Sequence, residues 1–213
     1  MRGARATWLM LGLLAGTARA AAPPAEIPGE TIVLLRHGEK PAAGLGQLSC
    51  QGLNRALALP AMLAKHFPRP LAIFAPNPAA QKRDHADGTS GPGATYSYVR
   101  PLATIEPTAI RLGLPVNTQF GYADITGLEA ALTQPALAHA VVLVAWEHHQ
   151  IEDLARHLAT RFGADPAAVP AWKNADFDSL YVIHLSDDGG ARKMSFQVAK
   201  QGLNDLPDAC PGG

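Results

Sequence analysis

Cysteine, net charge and long apolar runs are all scarce in this sequence, and each scarcity narrows what the chain can be. The 213 residues contain two cysteines, Cys50 and Cys210. They allow one disulfide closing a very long loop, or two free thiols, and spacing alone leaves both open. Lys+Arg and Asp+Glu number 18 each, so no polybasic surface marks the chain for nucleic acid or an anionic membrane, although a local cationic pocket is compatible with that balance. The apolar run over residues 8–14 falls well short of the ~20 residues a spanning helix needs. Arg2 and Arg5 precede it, and Ala18-Arg19-Ala20 follows in the small-x-small form of a signal-peptidase site. Residues 1–20 therefore read as a signal peptide, with no stable membrane insertion after cleavage and a periplasmic or secreted product. Those residues hold three arginines and no acid, so without them 15 basic residues face 18 acidic ones, a formal net of −3. No internal repeat or heptad array is present.

The length suits one domain with a full hydrophobic core, here residues 31–213 after a Pro/Ala-rich flexible lead-in over 21–30. Residues 31–36 are apolar and β-branched, a buried strand that delivers Arg36, His37 and Gly38 to its end. Ser49 is an N-cap candidate for a helix running to Phe67-Pro68, with Pro60 inside it. Residues 71–75 form a second short strand. Helical spacing returns over 101–112, with Pro101 suited to a first turn and Gly113 to the far end. Residues 114–116 are extended, and Thr126 is a candidate cap for a short helix over 127–132. The most apolar strand, 140–146, ends in Glu147-His148-His149. An amphipathic helix over 150–161, a Pro-rich link and two strands, 179–185 and 193–198, around an Asp-Asp-Gly-Gly turn complete the chain. Between them, residues 79–95 read as a long loop insertion, either a flap that brings Lys82 and Arg83 over a substrate or a solvated excursion.

Strands alternating with helices indicate a mainly parallel central sheet in a three-layer α/β/α sandwich. In such sheets, side chains at the carboxyl ends of strands meet in one crevice, so Arg36-His37, Arg100 and Glu147-His148 can converge. Two arginines suit a dianion, because guanidinium forks match phosphate oxygens. An imidazole between them can attack phosphorus and divide hydrolysis into two steps.

With these residues in view, the chain resembles the histidine phosphatase superfamily, also called phosphoglycerate-mutase-like. The similarity is carried by Arg36-His37-Gly38, by residues 48–56 (Leu-Ser-Cys-Gln-Gly-Leu-Asn-Arg-Ala), by residues 100–107 beginning Arg100-Pro101, and by Val144-Ala145-Trp146-Glu147-His148. The four stretches occur in family order across residues 31–160. The resemblance implies that His37 is the nucleophile, that Arg36 and Arg100 grip phosphate, that His148 completes the pocket, and that neither cofactor nor metal takes part. Its departure lies on the proton-donating side, where Asp124 and Glu147 are the rival acids and another residue or water is the third option. Glu39 and Lys40 are candidates for the pocket mouth. The expected partner is a small phosphorylated substrate and the expected function is an exported phosphomonoesterase. A phospho-ligand binding protein without turnover, a mutase, and a metal hydrolase built on Glu147, His148, His149 and Glu152 are the alternatives.

Overall fold

The computed structural model describes residues 28–84, 93–188 and 190–212. The expected signal peptide and most of the lead-in lie outside the described residues. The chain runs β1 (Glu30–Arg36), α1 (Cys50–His66), β2 (Ala72–Phe74), β3 (Gln81–Asp84), β4 (Ala94–Ser97), α2 (Arg100–Leu112), β5 (Val116–Asn117), α3 (Ile125–Leu132), β6 (Val141–Trp146), α4 (His148–Arg161), β7 (Ser179–Asp188) and β8 (Ala191–Lys200). Six strands make one sheet in the order β5-β2-β6-β1-β7-β8. The β5–β2, β2–β6 and β6–β1 pairs are parallel, whereas β7 and β8 add an antiparallel hairpin to the far side of β1.

The central strands are apolar on both faces because both faces are covered. Ile32, Leu34, Val142 and Val144 point to the side where Leu128 of α3 and Leu154 and Leu158 of α4 pack. Val33, Leu35, Leu143 and Ala145 point the other way, toward Leu59 and Leu63 of α1 and Ile105 of α2. The alternation along each strand thus produces three layers.

Local signals set the helix ends. Ser49 caps α1 by accepting from the Gly52 N–H, and α1 continues through Pro60. Pro101 opens α2 and Gly113, at φ 64°, ends it in the left-handed conformation. Two expectations about boundaries are corrected. Thr126 does not cap the short helix: Asp124 does, two residues earlier, so α3 begins at Ile125. Strand β1 begins at Glu30, because Gly29 at φ 89° tucks under the backbone of Leu185, where a Cβ would lie 2.4 Å from its carbonyl oxygen.

The 79–95 segment is corrected as well. It is not one long loop: β3 and β4 form an antiparallel ladder from Gln81↔Ser97 to Asp84↔Ala94. Residues 85–92 lie outside the described residues. Cys50 and Cys210 are joined in a disulfide, their Cα atoms 4.5 Å apart across 160 positions of sequence.

Candidate active site

Strand register brings the site together. β1 and β6 pair in parallel with Arg36 opposite Trp146, so the residues that follow, His37 and Glu147-His148, leave the sheet side by side. The His37 N–H donates to the Trp146 carbonyl at 3.1 Å. Gly38 then passes within van der Waals limits of α1: a Cβ there would lie 2.9 Å from the Gly52 carbonyl oxygen, and one on Gly52 would lie 2.4 Å from that of Glu39. Two glycines at this crossing let the first turn of α1 press onto the tip of β1. Gly38 N–H also donates to Thr104 Oγ1 at 2.9 Å, tying the turn to α2.

His37 is 3 % exposed. Its Nδ1 lies 2.7 Å from the Gly38 carbonyl oxygen, an acceptor, so Nδ1 carries the hydrogen and Nε2 keeps a lone pair. Burial, followed by the charges of Arg100 and Arg36, pushes its pKa well below 6.5, with the Gly38 carbonyl opposing. The ring is therefore neutral, with Nε2 unprotonated and its lone pair available.

Arg36 is 4 % exposed. One of its terminal nitrogens donates to the carbonyls of Asn174 (2.6 Å) and Asp176 (3.1 Å), and its guanidinium carbon lies 3.9 Å from the Phe177 ring centroid. Burial lowers its pKa to about 10, against the pull of Glu147, so it stays charged at neutral pH. Its Nε is buried and makes no hydrogen bond among the described residues. Such an orphan costs about 1–3 kcal/mol unless a ligand answers it.

Arg100, 2 % exposed, is set by the β1–α1 loop. Gly44, Leu45 and Gly46 all have positive φ, and this turn aims the Gly46 carbonyl at the N–H groups of Val99 and Arg100, both at 3.1 Å. That carbonyl satisfies a helix start that has no side-chain cap. The Arg100 guanidinium reaches the Gly44 carbonyl at 3.4 Å and lies over Tyr98 at 4.9 Å. Tyr98, itself fully enclosed, meets His37 edge-on at 6.0 Å.

Glu147 is the N-cap of α4. One carboxylate oxygen accepts from Gln150 N–H at 3.1 Å; the other lies 2.9 Å from His148 Nδ1 and 3.8 Å from Lys82 Nζ. Burial alone would raise its pKa, but the His148 hydrogen bond, Lys82, the His148 charge and the Gln150 N–H together bring it down to about 2. In the free site Glu147 is a carboxylate. His148 Nε2 faces Asn174 Oδ1 at 2.7 Å. His149 is exposed and stacks on His148 with centroids 4.0 Å apart. The ligand atoms of Glu147, His148 and His149 lie within 4.8 Å of one another, so a cation could be held there.

The remaining expected residues divide. Lys82 enters the site: β3 turns it over Tyr98 and Tyr122, at 4.9 and 5.1 Å. Arg83, the next residue on the strand, is exposed, because successive side chains alternate. Lys40 and Glu39 line the cleft mouth. Glu39, however, is not available to substrate, since Arg55 grips both its carboxylate oxygens at 2.7–3.1 Å. Asp124 is also corrected as a proton donor: it is exposed and its carboxylate accepts from Gly127 N–H as the cap of α3. The structure thus brings Arg36, His37, Arg100, Glu147, His148 and Lys82 together, beside an open cleft of about 900 Å³.

Asn174 and Phe177 escaped sequence reasoning, as did Tyr98. β7 is antiparallel to β1, with Leu180 opposite Leu35, so residues just before β7 arrive at the edge where β1 and β6 end. No periodicity marks such a segment; a polar Asn-Ala-Asp-Phe-Asp run directly before a strand was its one available signal.

No family model matches the chain, and no curated protein sequence does. Solved structures do. A mycobacterial glucosyl-3-phosphoglycerate phosphatase is 17 % identical, with a TM-score of 0.53 over 79 % of this chain and 97 % of that one. SixA of Nakamurella multipartitia, a candidate phosphohistidine phosphatase, is 17 % identical, with a TM-score of 0.51 over 82 % of this chain and 97 % of its own. Phosphoglycerate mutase of Plasmodium falciparum is 12 % identical, with a TM-score of 0.50 over 84 % and 94 %.

Proposed function

The fold is that of the histidine phosphatase superfamily, the phosphoglycerate-mutase-like fold, and we propose that this chain also has its chemistry, as a phosphomonoesterase working through a phosphohistidine on His37. The observation that carries this reading is the state of His37: its Nδ1–H is committed to the Gly38 carbonyl, and its free Nε2 is flanked by two buried arginines. A neutral imidazole in a cationic, water-poor setting is a nucleophile poised for an anionic electrophile.

In the first step, Nε2 attacks phosphorus while the bond from phosphorus to the alcohol oxygen breaks. Arg36 Nε and the Arg100 guanidinium stabilise the charge spread over the equatorial oxygens. Arrival of a phosphate dianion places a like charge beside Glu147 and raises its pKa from about 2. Glu147 takes up a proton from solvent as the dianion binds and gives it to the departing oxygen, becoming a carboxylate again. In the second step the same carboxylate accepts a proton from water as that water attacks the phosphohistidine, releasing phosphate and restoring His37. The orientation of Glu147 supports this role over Asp124, which faces solvent from the cap of α3.

Neighbours of this fold include phosphatases and a mutase at 12–17 % identity, so the likeness supports the class of chemistry and leaves the substrate to experiment. The disulfide between Cys50 and Cys210 supports an oxidising compartment, and with the signal-like residues 1–20 it supports export, to be tested by finding the mature N-terminus at Ala21 in a periplasmic or culture fraction. With an aryl phosphate, turnover survives a chelator and disappears in His37→Ala. Chelator-sensitive turnover would instead assign a working cation to Glu147, His148 and His149. Affinity for phosphate esters without any turnover would make the chain a binding protein.

A further inference from the structure

The C-terminal residues form a strap across the start of α1. The Cys50–Cys210 disulfide fastens its end. Asn54 Nδ2 donates to the carbonyls of both Pro207 and Ala209 at 2.8 Å, and Gln51 Nε2 donates to that of Leu206 at 3.3 Å. Asp208 lies between the two carbonyls that Asn54 holds, so its backbone is pinned on either side. Asp208 lines the same cleft as Arg36, His148 and Asn174.

The other carboxylates of that cleft are answered by the protein. Glu39 is held by Arg55, and Glu147 by His148 and Lys82. Asp208 has neither a hydrogen bond nor an ion pair among the described residues. An exposed negative charge, its backbone held by the strap, on the wall of a cleft of about 900 Å³, far larger than a phosphate group, faces whatever the phosphate is attached to.

We propose that Asp208 is a specificity-determining residue: held by the strap, its carboxylate favours phosphomonoesters whose alcohol carries a protonated amine and disfavours those whose alcohol carries a second negative charge. The proposal rests on the phosphomonoesterase reading above. It adds the class of alcohol, and it makes the tail, remote in sequence from Arg36, Arg100 and Glu147, part of substrate selection.

The test uses the full oxidised chain and three esters that share a six-carbon alcohol but differ in its charge: glucosamine 6-phosphate, glucose 6-phosphate and 6-phosphogluconate. Exposed charge pairs are worth up to ~1 kcal/mol, about fivefold. In Asp208→Asn, KM for the amine ester therefore rises about threefold and KM for the carboxylate ester falls by a similar factor. The glucose ester and kcat for an aryl phosphate hold steady. Asp208→Lys exaggerates the pattern. Asn54→Ala, which loosens the strap and keeps the charge, weakens discrimination in the same direction. Equal changes for all three esters, or none, would overturn the proposal. The affinities of the same esters for His37→Ala, measured by calorimetry, give the discrimination without turnover. A wild-type chain that hydrolyses no ester thus refutes the phosphatase reading, while the affinity ratios still decide the role of Asp208.

Discussion

Replacing Glu147 by Gln probes the proton-donating half of the chemistry, and the structure sets the size of the effect. Glu147 is 8 % exposed and its pKa is brought from 4.5 to about 2. A folded-state pKa below the unfolded value means that the carboxylate stabilises the fold above pH 4.5 and that this contribution is lost as pH falls from 4.5 through 2. The displacement corresponds to roughly 3 kcal/mol. Asp176, also brought down to about 2 by Ser179, Lys200 and backbone N–H groups against its burial, adds an acid-labile contribution of its own, but it is common to both proteins. Urea denaturation from pH 7 to pH 2 isolates Glu147 as the difference between the two curves. Glu147→Gln is expected to be less stable by up to roughly 3 kcal/mol at pH 7 and to converge on wild type near pH 2. In activity, an alkyl phosphate, whose leaving oxygen needs a proton, loses ~100-fold or more, and an aryl phosphate with a good leaving group loses less than about tenfold. Parallel stability curves would refute the electrostatic account of this residue, and equal losses on both substrates would refute its role as proton donor.

Other perturbations test other parts. Arg36→Lys keeps the charge but loses the planar guanidinium, whose one terminal nitrogen is held by the Asn174 and Asp176 carbonyls while Nε is left for phosphate, and loses the stacking on Phe177; kcat/KM is expected to fall by at least about tenfold, and near-wild-type activity would count against a guanidinium grip on phosphate. Because the His37 pKa lies well below 6.5, the acid limb of kcat/KM follows the second ionisation of the substrate phosphate, near ~6, and moves when substrates of different acidity are compared; a limb fixed near 6.5 in every case would contradict the neutral His37. Asp124→Ala removes a helix cap and costs about 1 kcal/mol in thermal or urea unfolding while leaving kcat unchanged, whereas a collapse of kcat would return Asp124 to the chemistry. Reducing the Cys50–Cys210 disulfide, which spans 160 positions, is expected to lower stability on the order of 4–5 kcal/mol in the chain-entropy account, and a change below about 1 kcal/mol would show that the strap is already held by Asn54 and Gln51.

What the sequence discloses and what it hides follow physical lines. β1 and β6 are legible because strands covered on both faces must be apolar throughout, and their polar tips then stand out; α1 and α2 are legible through Ser49, Pro101 and Gly113. The nucleophile and both arginines belong to those elements, so they are legible too. The β3–β4 ladder is not: its four-residue strands are polar and half-exposed, with no buried face to impose alternation, yet it is what turns Lys82 inward and Arg83 outward. Asn174 and Phe177 stay hidden because their place depends on β7 running antiparallel beside β1, a pairing that only the folded sheet determines. Glu147 shows a third case. Its residue type and position were readable, but whether it points toward His148 depends on the cap geometry of α4, and that geometry also decides its charge.

The most direct measurement is to mix the protein with an excess of aryl phosphate, stop the reaction without acid so that a phosphorus–nitrogen bond survives, and map the modified residue by mass spectrometry. The account predicts one phosphoryl group, on His37, present during turnover and absent from His37→Ala, which is also inactive. Turnover that persists in His37→Ala, or a phosphoryl group trapped on any other residue, would contradict it.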